Sequence, residues 1–417
     1  MEFNSDLSKI MHVDINSCFA TIEQQANPLL RGKPLVVAAF PTPRGCILAA
    51  SIEAKKFGIK TGMRVFEGKA LYPKLVVLPP DPWKYRSIHL RLRNLIAEYT
   101  NDFSPKSIDE FVLNMSDYLA LKANPLKAVA REIKQRIKNE IGEWITVSIG
   151  IAPNRYLAKI AAGLHKPDGL DEINRNNFLE IYSSLKLTDL TGIKERNAIR
   201  LGSVGIKNVL DFYEAPIWKL KAAFRSIAAR YWHARLRGYE VDDVEFERRS
   251  YGNSIAIGAK VVSAEEIAPI LSNLVEKMSA RMRAAGYLAH GVHLFVSYKD
   301  GTHWHHGELT GRELFDSRDI FKCALRIASC HPFGKPVRNI AVSVFDLAAA
   351  ENLQLDFFEN IEKKESLIKT ADSINKCYGD FTIKPGRMLA GRQKVLDRIA
   401  FGGIKELEEF ATASRDL

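Results

Sequence analysis

No apolar run in this chain approaches the roughly 18 residues needed to cross a bilayer, so a helical membrane protein is not expected. Cysteine is scarce: Cys18, Cys46, Cys323, Cys330 and Cys377 are the only five in 417 residues, and none form a CxxC pair. An odd, scattered set supports neither a disulfide framework nor a zinc ribbon, and fits a reduced, cytoplasmic compartment. Met1 to Ile10 is polar and mixed in charge, so no secretory signal is read there. Acidic residues are the sign in deficit, 49 Asp plus Glu against 60 Lys plus Arg, for a net charge of +11. Such an excess points to a polyanionic partner, nucleic acid ahead of an anionic membrane.

With 46% hydrophobic residues over this length, about two to four domains are expected. One stretch organises the reading: Lys106-Ser107-Ile108-Asp109-Glu110-Phe111-Val112-Leu113. Two adjacent carboxylates lead into a β-branched, apolar strand, a costly arrangement unless a cation sits on it. A second short strand, Met11-His12-Val13-Asp14-Ile15, carries another carboxylate. Three carboxylates from two strands could hold divalent metals. Neighbouring strand residues point to opposite faces, so Asp109 and Glu110 can share a site only if the backbone turns there. Ser104-Pro105-Lys106-Ser107 supplies a hairpin turn, and irregular backbone is expected.

Around this pair the periodicity predicts a helix from Cys18 to Asn27, a strand Leu35–Phe40 with Cys46–Ala50 as its hairpin partner, and a short helix Ser51–Gly58 closed by glycine. Amphipathic helices follow at Pro82–Asn101 and Pro125–Ile141, then a strand Trp144–Ile151 and a helix Asn154–Leu164. The order describes a βαββαβ layer with helices on one face of a sheet. Between Leu170 and Asp243 the chain becomes short basic helices, and Leu190-Thr191-Gly192-Ile193 resembles a helix-hairpin-helix turn able to grip a phosphate. Lys219, Lys221, Arg225, Arg230, Arg235 and Arg237 are interleaved with Trp218, Phe224, Tyr231 and Trp232, either a nucleic-acid surface or a solvated basic face.

Glu240–Arg249 reads as a charged linker. Strands at Ser250–Ile257, Gly291–Tyr298, His303–Leu309 and Val337–Phe345, with helices at Glu265–Ala285 and Arg312–Ser329, predict a second sheet-and-helix sandwich. His303, His305 and His306 read as exposed strand histidines, which are commoner than a metal site. The tail holds Gln354-Leu355-Asp356-Phe357-Phe358 and a charged helix Ile361–Cys377. Its phenylalanines suit either a partner's pocket or the chain's own last domain.

These marks together resemble the Y-family, the translesion DNA polymerases, over nearly all of residues 11–358. The resemblance rests on Val13-Asp14, Ser107-Ile108-Asp109-Glu110, the run Glu53 to Met63, and Ile149-Gly150 through Asn154, Leu157–Ala162 and Lys166-Pro167-Asp168-Gly169. It implies an α+β, multidomain right hand: a βαββαβ palm (1–19 and 81–170), small fingers (20–80), a helical thumb (171–243), a linker (244–249), an α/β-sandwich little finger (250–347) and a tail (348–417). It implies low-fidelity addition of deoxynucleotides (dNTP) to a primer 3′-hydroxyl on primer-template DNA, by a monomer using two Mg²⁺, with Mn²⁺ as a substitute. Such ions, about 3.5–4 Å apart, would stabilise the attacking and leaving oxygens.

By the same resemblance Asp14 and Asp109 bridge both ions, Glu110 holds one, and the Ile15 carbonyl completes the nucleotide-side metal. Ser17, Cys18, Phe19, Ser51, Lys55 and Lys166 fall at nucleotide-binding positions, with Phe19 as the steric gate against a 2′-hydroxyl. Ser107, Lys159, Gly192, Arg249 and Arg338 fall at DNA-binding positions. Gln354, Leu355, Asp356, Phe357 and Phe358 resemble the motif that docks on the sliding clamp, here followed by a further tail to Leu417.

The pocket departs from the pattern. Ile52 stands where the family usually has a tyrosine that hydrogen-bonds the triphosphate, Lys55 where arginine is frequent, Ala49 where a hydroxyl is common and Ser17 where an aromatic is. A lysine is a point charge where arginine offers a bidentate fork. Weaker nucleotide binding is expected unless Ser51 or Arg44 compensates. Two other classes stay open on residues alone: a catalytically weakened DNA-binding accessory protein, and a cyclase-type palm, which the thumb-like and little-finger-like segments disfavour.

Overall fold

The computed structural model describes residues 2–121, 125–244, 247–257, 263–330, 334–350, 361–379 and 381–390. The described residues divide into two compact units, one up to residue 244 and one from residue 247 onward.

In the first unit the chain enters as β1 (Ile10–Ile15), every residue of which is buried, and turns into α1 (Cys18–Ala26). A small three-stranded sheet follows: β2 (Leu35–Ala38) pairs antiparallel with β3 (Ile47–Ala50), as expected, and after α2 (Ile52–Lys56) and α3 (Val65–Leu71) the chain returns as β4 (Val76–Leu78), parallel to β2. The boundary expected after residue 19 falls inside α1, whose buried Ala20 and Ile22 belong to the core of the larger sheet.

Next comes α4 (Pro82–Ala97), started by the Asp81 carboxylate accepting from the Lys84 N–H, then the hairpin β5 (Phe103–Pro105) and β6 (Glu110–Asn114). The strand expected to open at the carboxylate pair begins at Glu110. Lys106 N and Ser107 N both donate to the Glu110 carbonyl, closing the turn predicted from Ser104–Ser107. Helices α5 (Ser116–Leu121) and α6 (Leu126–Arg136), the latter extended by a π-helical turn at Ile137–Ile141, lead to β7 (Val147–Ala152), α7 (Arg155–Leu164) and β8 (Leu170–Glu172). The large sheet has the order β5-β6-β1-β7-β8, so the two carboxylate strands lie side by side at its centre, Asp14 opposite Glu110.

Helix α7 lies directly on β7 because Gly150 has no side chain. A Cβ there would sit 2.0 Å from the Ala158 carbonyl oxygen and 2.2 Å from the Ala162 nitrogen. That close approach delivers α7 side chains to the strand ends. The basic helical segment forms α8 (Phe178–Ser184), α9 (Glu195–Ser203), α10 (Val209–Glu214), α11 (Ile217–Phe224) and α12 (Ala228–Arg235) around Phe212, Phe224 and Trp232. Two of its six expected surface cations are engaged by the chain's own residues. Arg237 is buried, with its guanidinium on the carbonyls of His233 and Tyr213, and Arg235 is paired to Asp242 and packed by Trp232. Lys221, Arg225 and Arg230 are exposed.

In the second unit β9 (Ser250–Ala256), α13 (Ala264–Ala284), β10 (Tyr287–Tyr298), β11 (His303–Leu314), α14 (Ser317–Ser329) and β12 (Val337–Ala349) build a four-stranded antiparallel sheet of order β11-β10-β12-β9. The helix expected from Arg312 starts at Ser317, because Thr310 to Leu314 continue as strand, with Leu314 paired to Ala289. A last helix, α15 (Ile361–Tyr378), is held by the Arg283–Asp372 ion pair and by Lys364 on Asp319. The motif Gln354–Phe358 lies outside the described residues.

Candidate active site

At the end of β1 the backbone sets up a cluster of charge. Ile15 N donates to the Asp109 carbonyl at 2.9 Å, tying the irregular turn to the strand. Asp109 sits in the bend that precedes β6, not in the ladder. That placement frees its carboxylate to line the same pocket as Asp14, while Glu110, the first ladder residue, lies with Asp14 and His12. The irregular backbone predicted from the alternation argument is present.

Burial dominates the electrostatics. Asp14 is 9% exposed, and burial pushes its pKa up to about 6, against the pull of Lys166, whose Nζ is 2.6 Å from its carboxylate. Burial likewise raises Asp109, opposed by the Ser107 hydroxyl that donates to it. No lysine or arginine stands within ion-pair distance of Asp109 among the described residues. Burial would also raise Glu110, but Lys159 from α7 donates to both its oxygens, at 2.9 and 2.6 Å, and carries it below the usual range. His12, at 3.9 Å, adds little, because burial lowers its own pKa to about 3 and leaves the ring neutral. Neither ring nitrogen of His12 has a hydrogen-bond partner.

The pocket beside this cluster, about 300 Å³, is lined by Asp14, Ile15, Ser17, Cys18, Phe19, Leu48, Ala49, Ala50, Lys55, Thr61, Asp109 and Lys166. Lys166 is aimed into it by a braced turn: Asn16 Oδ1 accepts from Asp168 N at 2.7 Å, and Lys134 and Lys138 both pair with Asp168. Lys55 comes from α2, its pKa lowered by burial and by Lys166. Ser17 adopts a left-handed conformation with φ 52°, and its buried Oγ has no partner. A non-glycine residue held there costs roughly 1–3 kcal/mol and marks functional sites more than structural ones. Phe19 is 1% exposed and stacks on Tyr85, with ring centroids 4.2 Å apart. Tyr85 in turn donates to Glu23 at 2.8 Å.

Some expected residues stand elsewhere. Ser51 is fully buried and absent from the pocket wall. Its hydroxyl accepts from Ala54 N as the N-cap of α2 and from Leu35 N. A serine immediately before a short helix is itself an N-cap signal, and the sequence held it. Ser107 and Lys159 serve Asp109 and Glu110 in this state. Gly192 occupies its turn with φ 93°, at the start of α9, and Asn197 donates to its carbonyl at 3.1 Å. Arg249 and Arg338 are exposed residues of the second unit. Sequence reasoning missed Thr61, the Tyr85–Glu23 pair and His89. His89 is buried, and its Nδ1 lies 2.8 Å from the Ile108 carbonyl, so it must be the N–H tautomer that donates, pinning the carboxylate turn. Tyr85, Glu23 and His89 act through contacts across tens of residues that local pattern does not carry.

The donor set suits a divalent cation. Carboxylate oxygens converge under low solvation, and two of the three have pKa values raised chiefly by burial. An unpartnered Ser17 hydroxyl and two lysines face the same space, as an anionic ligand would need.

Comparison with known proteins places this geometry. The impB/mucB/samB family model matches residues 13–163, and the model of that family's C-terminal domain matches residues 248–357. The chain belongs to this family, and with it to the Y-family DNA polymerases. DNA polymerase IV of Moorella thermoacetica is 34% identical over 397 residues, covering 93% of this chain and 98% of that protein. DNA polymerase IV of Pelotomaculum thermopropionicum is 32% identical over 380 residues, covering 90% and 94%. Among solved structures, a Y-family DNA polymerase chimera of Dbh and Dpo4 superposes with a TM-score of 0.72 at 25% identity, covering 82% of this chain and 99% of that one. An insertion ternary complex of Dbh DNA polymerase shares the fold at a TM-score of 0.56 and 24% identity, covering 82% and 99%.

Proposed function

We infer that this chain is a template-directed, low-fidelity DNA polymerase of the translesion class, extending the 3′-hydroxyl of a primer with deoxynucleotides. The observation that carries the reading is the convergence of Asp14 and Asp109 on a pocket that Lys55 and Lys166 also line, with Glu110 beside Asp14. Family membership implies dependence on a divalent metal. Asp14, Asp109 and Glu110 would hold two Mg²⁺ or Mn²⁺, with the Ile15 carbonyl as a further oxygen donor. Bound there, such ions activate the primer hydroxyl and neutralise the leaving pyrophosphate.

The chain's own residues do the rest. Lys166 and Lys55 neutralise the triphosphate, and the unpartnered Ser17 hydroxyl offers it a hydrogen bond, with Cys18 beside it. An anion beside Lys55 favours the charged form that burial disfavours. Phe19 excludes a 2′-hydroxyl, its ring held in place by Tyr85 and Glu23. Lys159 is paired with Glu110. Released from Glu110, the lysine would be available for a primer phosphate, with Ser107 nearby. The Gly192 turn, Arg249 and Arg338 are the further DNA contacts of this reading. Ser51 caps α2 and is absent from the pocket lining, and Thr61 joins Ser17 as a hydroxyl side chain that lines it. The chain works as a monomer in a reduced cytoplasm, where its five free cysteines stay reduced, and it docks on the sliding clamp through Gln354–Phe358. Among the described residues no helix is long and apolar enough to cross a membrane.

Three measurements test these assignments. In primer extension with Mg²⁺ the wild-type chain extends, and Asp109→Ala or Glu110→Ala lowers the rate by more than roughly 100-fold, the upper range for loss of mere outer-shell partners; no extension by the wild type would end the polymerase reading. Ile52 lies one helical turn before Lys55, so a tyrosine there should restore a hydrogen bond to the triphosphate. Ile52→Tyr is expected to lower the nucleotide KM about tenfold, the worth of roughly 1.5 kcal/mol; an unchanged KM would count against a weakened pocket. Removing residues 354–358 should abolish stimulation by the clamp while sparing distributive synthesis, and undiminished stimulation would refute the docking motif.

A further inference from the structure

The β10–β11 hairpin carries five of the chain's ten histidines: His290, His293, His303, His305 and His306. Register sorts them. Phe295 pairs with His305, His293 with Gly307 and Ser297 with His303, so His293, His303 and His305 share one face of the sheet. That face is opposite the one whose Val292, Leu294 and Val296 pack into the core with α13 and α14. His306 points the other way, towards Glu308 and Trp304.

His293 lies diagonally across the strand pair from His305, and its Nε2 is 3.3 Å from His305 Nδ1. Gly307 makes this possible: a Cβ at that position would stand 3.0 Å from His293 Cδ2, in the space over which the imidazole leans. The separation is long for a hydrogen bond. It matches the nitrogen–nitrogen edge of a tetrahedral site, about 3.3–3.4 Å when each metal–nitrogen bond is 2.0–2.1 Å. We propose that His293 Nε2 and His305 Nδ1 form a two-imidazole site for a borderline divalent transition metal, Zn²⁺ first, which staples the edge strand β11 to β10.

His303 stands two residues along β11 on the same face, with its ring stacked 6.3 Å from that of His305 and 5.7 Å from that of Phe295, too far for its nitrogens to close a three-histidine group with the pair. Imidazole nitrogen suits Zn²⁺, Cu²⁺ and Ni²⁺, whereas Mg²⁺ and Ca²⁺ require oxygens, so this site and the carboxylate cluster select different ions. Burial and the neighbouring His305 and His306 lower the pKa of His293, which keeps its nitrogen lone pair free for a metal at neutral pH. One N–H can lie between the two facing nitrogens, on either ring. On binding, the ring that carries it moves the proton to its other nitrogen through solvent, and both facing lone pairs then point at the ion. The remaining positions open to solvent and take water.

Titration of the full chain with Co²⁺ in excess Mg²⁺ provides the test. One equivalent should give the intense visible absorption of a nitrogen-ligated, four-coordinate ion, displaced by Zn²⁺. His293→Ala and His305→Ala should each weaken binding more than tenfold. His306→Ala, on the other face, should leave it within about twofold. An absorption difference spectrum between wild type and His293→Ala that is flat would overturn the site and leave a hydrogen-bonded histidine pair. Equal weakening by His306→Ala would overturn the assignment of ligands.

Discussion

Everything in the first unit answers to one electrostatic constraint: carboxylates from two adjacent strands are buried together with too little positive charge. Asp14 and Glu110 face each other across the β1–β6 ladder, and Asp109 joins them through a turn that the ladder does not include. Isolated buried anions are costly, and the protein meets that cost only in part. Lys159 neutralises Glu110 and Lys166 neutralises Asp14, while Asp109 relies on a hydroxyl and on its own backbone. A site left short of cations is a site prepared to receive them.

The surrounding fold can be understood as the support of this arrangement. Gly150 lets α7 rest on β7, and that contact brings Lys159 within reach of Glu110. Asn16, the residue after β1, holds the turn that carries Lys166 and also accepts from Thr146 and donates to Ser148. His89 fixes the Ile108 carbonyl from the far side, and the Tyr85–Glu23 pair fixes Phe19. Each support is a buried polar contact whose partners are satisfied, the condition under which such networks rigidify a site. The unsatisfied groups, His12 and Ser17, lie at the cluster and in the pocket wall.

How much of this was legible in the sequence depends on how local the signal is. The carboxylate pair opening a β-branched run, the turn that must precede it and the βαββαβ order all rest on alternation and turn chemistry, which are read within a few residues. The hairpin of β2 and β3 was legible for the same reason. The role of Ser51 was also local, but a family pattern assigned it to the pocket when its position before α2 made it a cap. Arg235 and Arg237 were beyond reach. Composition counts charges without showing which are buried against tyrosine and tryptophan or paired with Asp242. The strand β11 outran its expectation because pairing with β10 overrode a helix-like stretch at Arg312. The contact of His293 with His305 depends on register, which alternation within one strand cannot supply.

Thermal unfolding of Asp109→Asn, with chelator and with Mg²⁺, tests the central claim most directly. The amide keeps the acceptor for the Ser107 hydroxyl and removes a charge that no lysine or arginine among the described residues pairs with directly. The account predicts that the variant unfolds above the wild type in chelator, by about 2–4 °C for each kcal/mol of relieved charge, and loses most of the Mg²⁺-dependent rise. A variant less stable than the wild type in chelator, with its Mg²⁺-dependent rise intact, would contradict it.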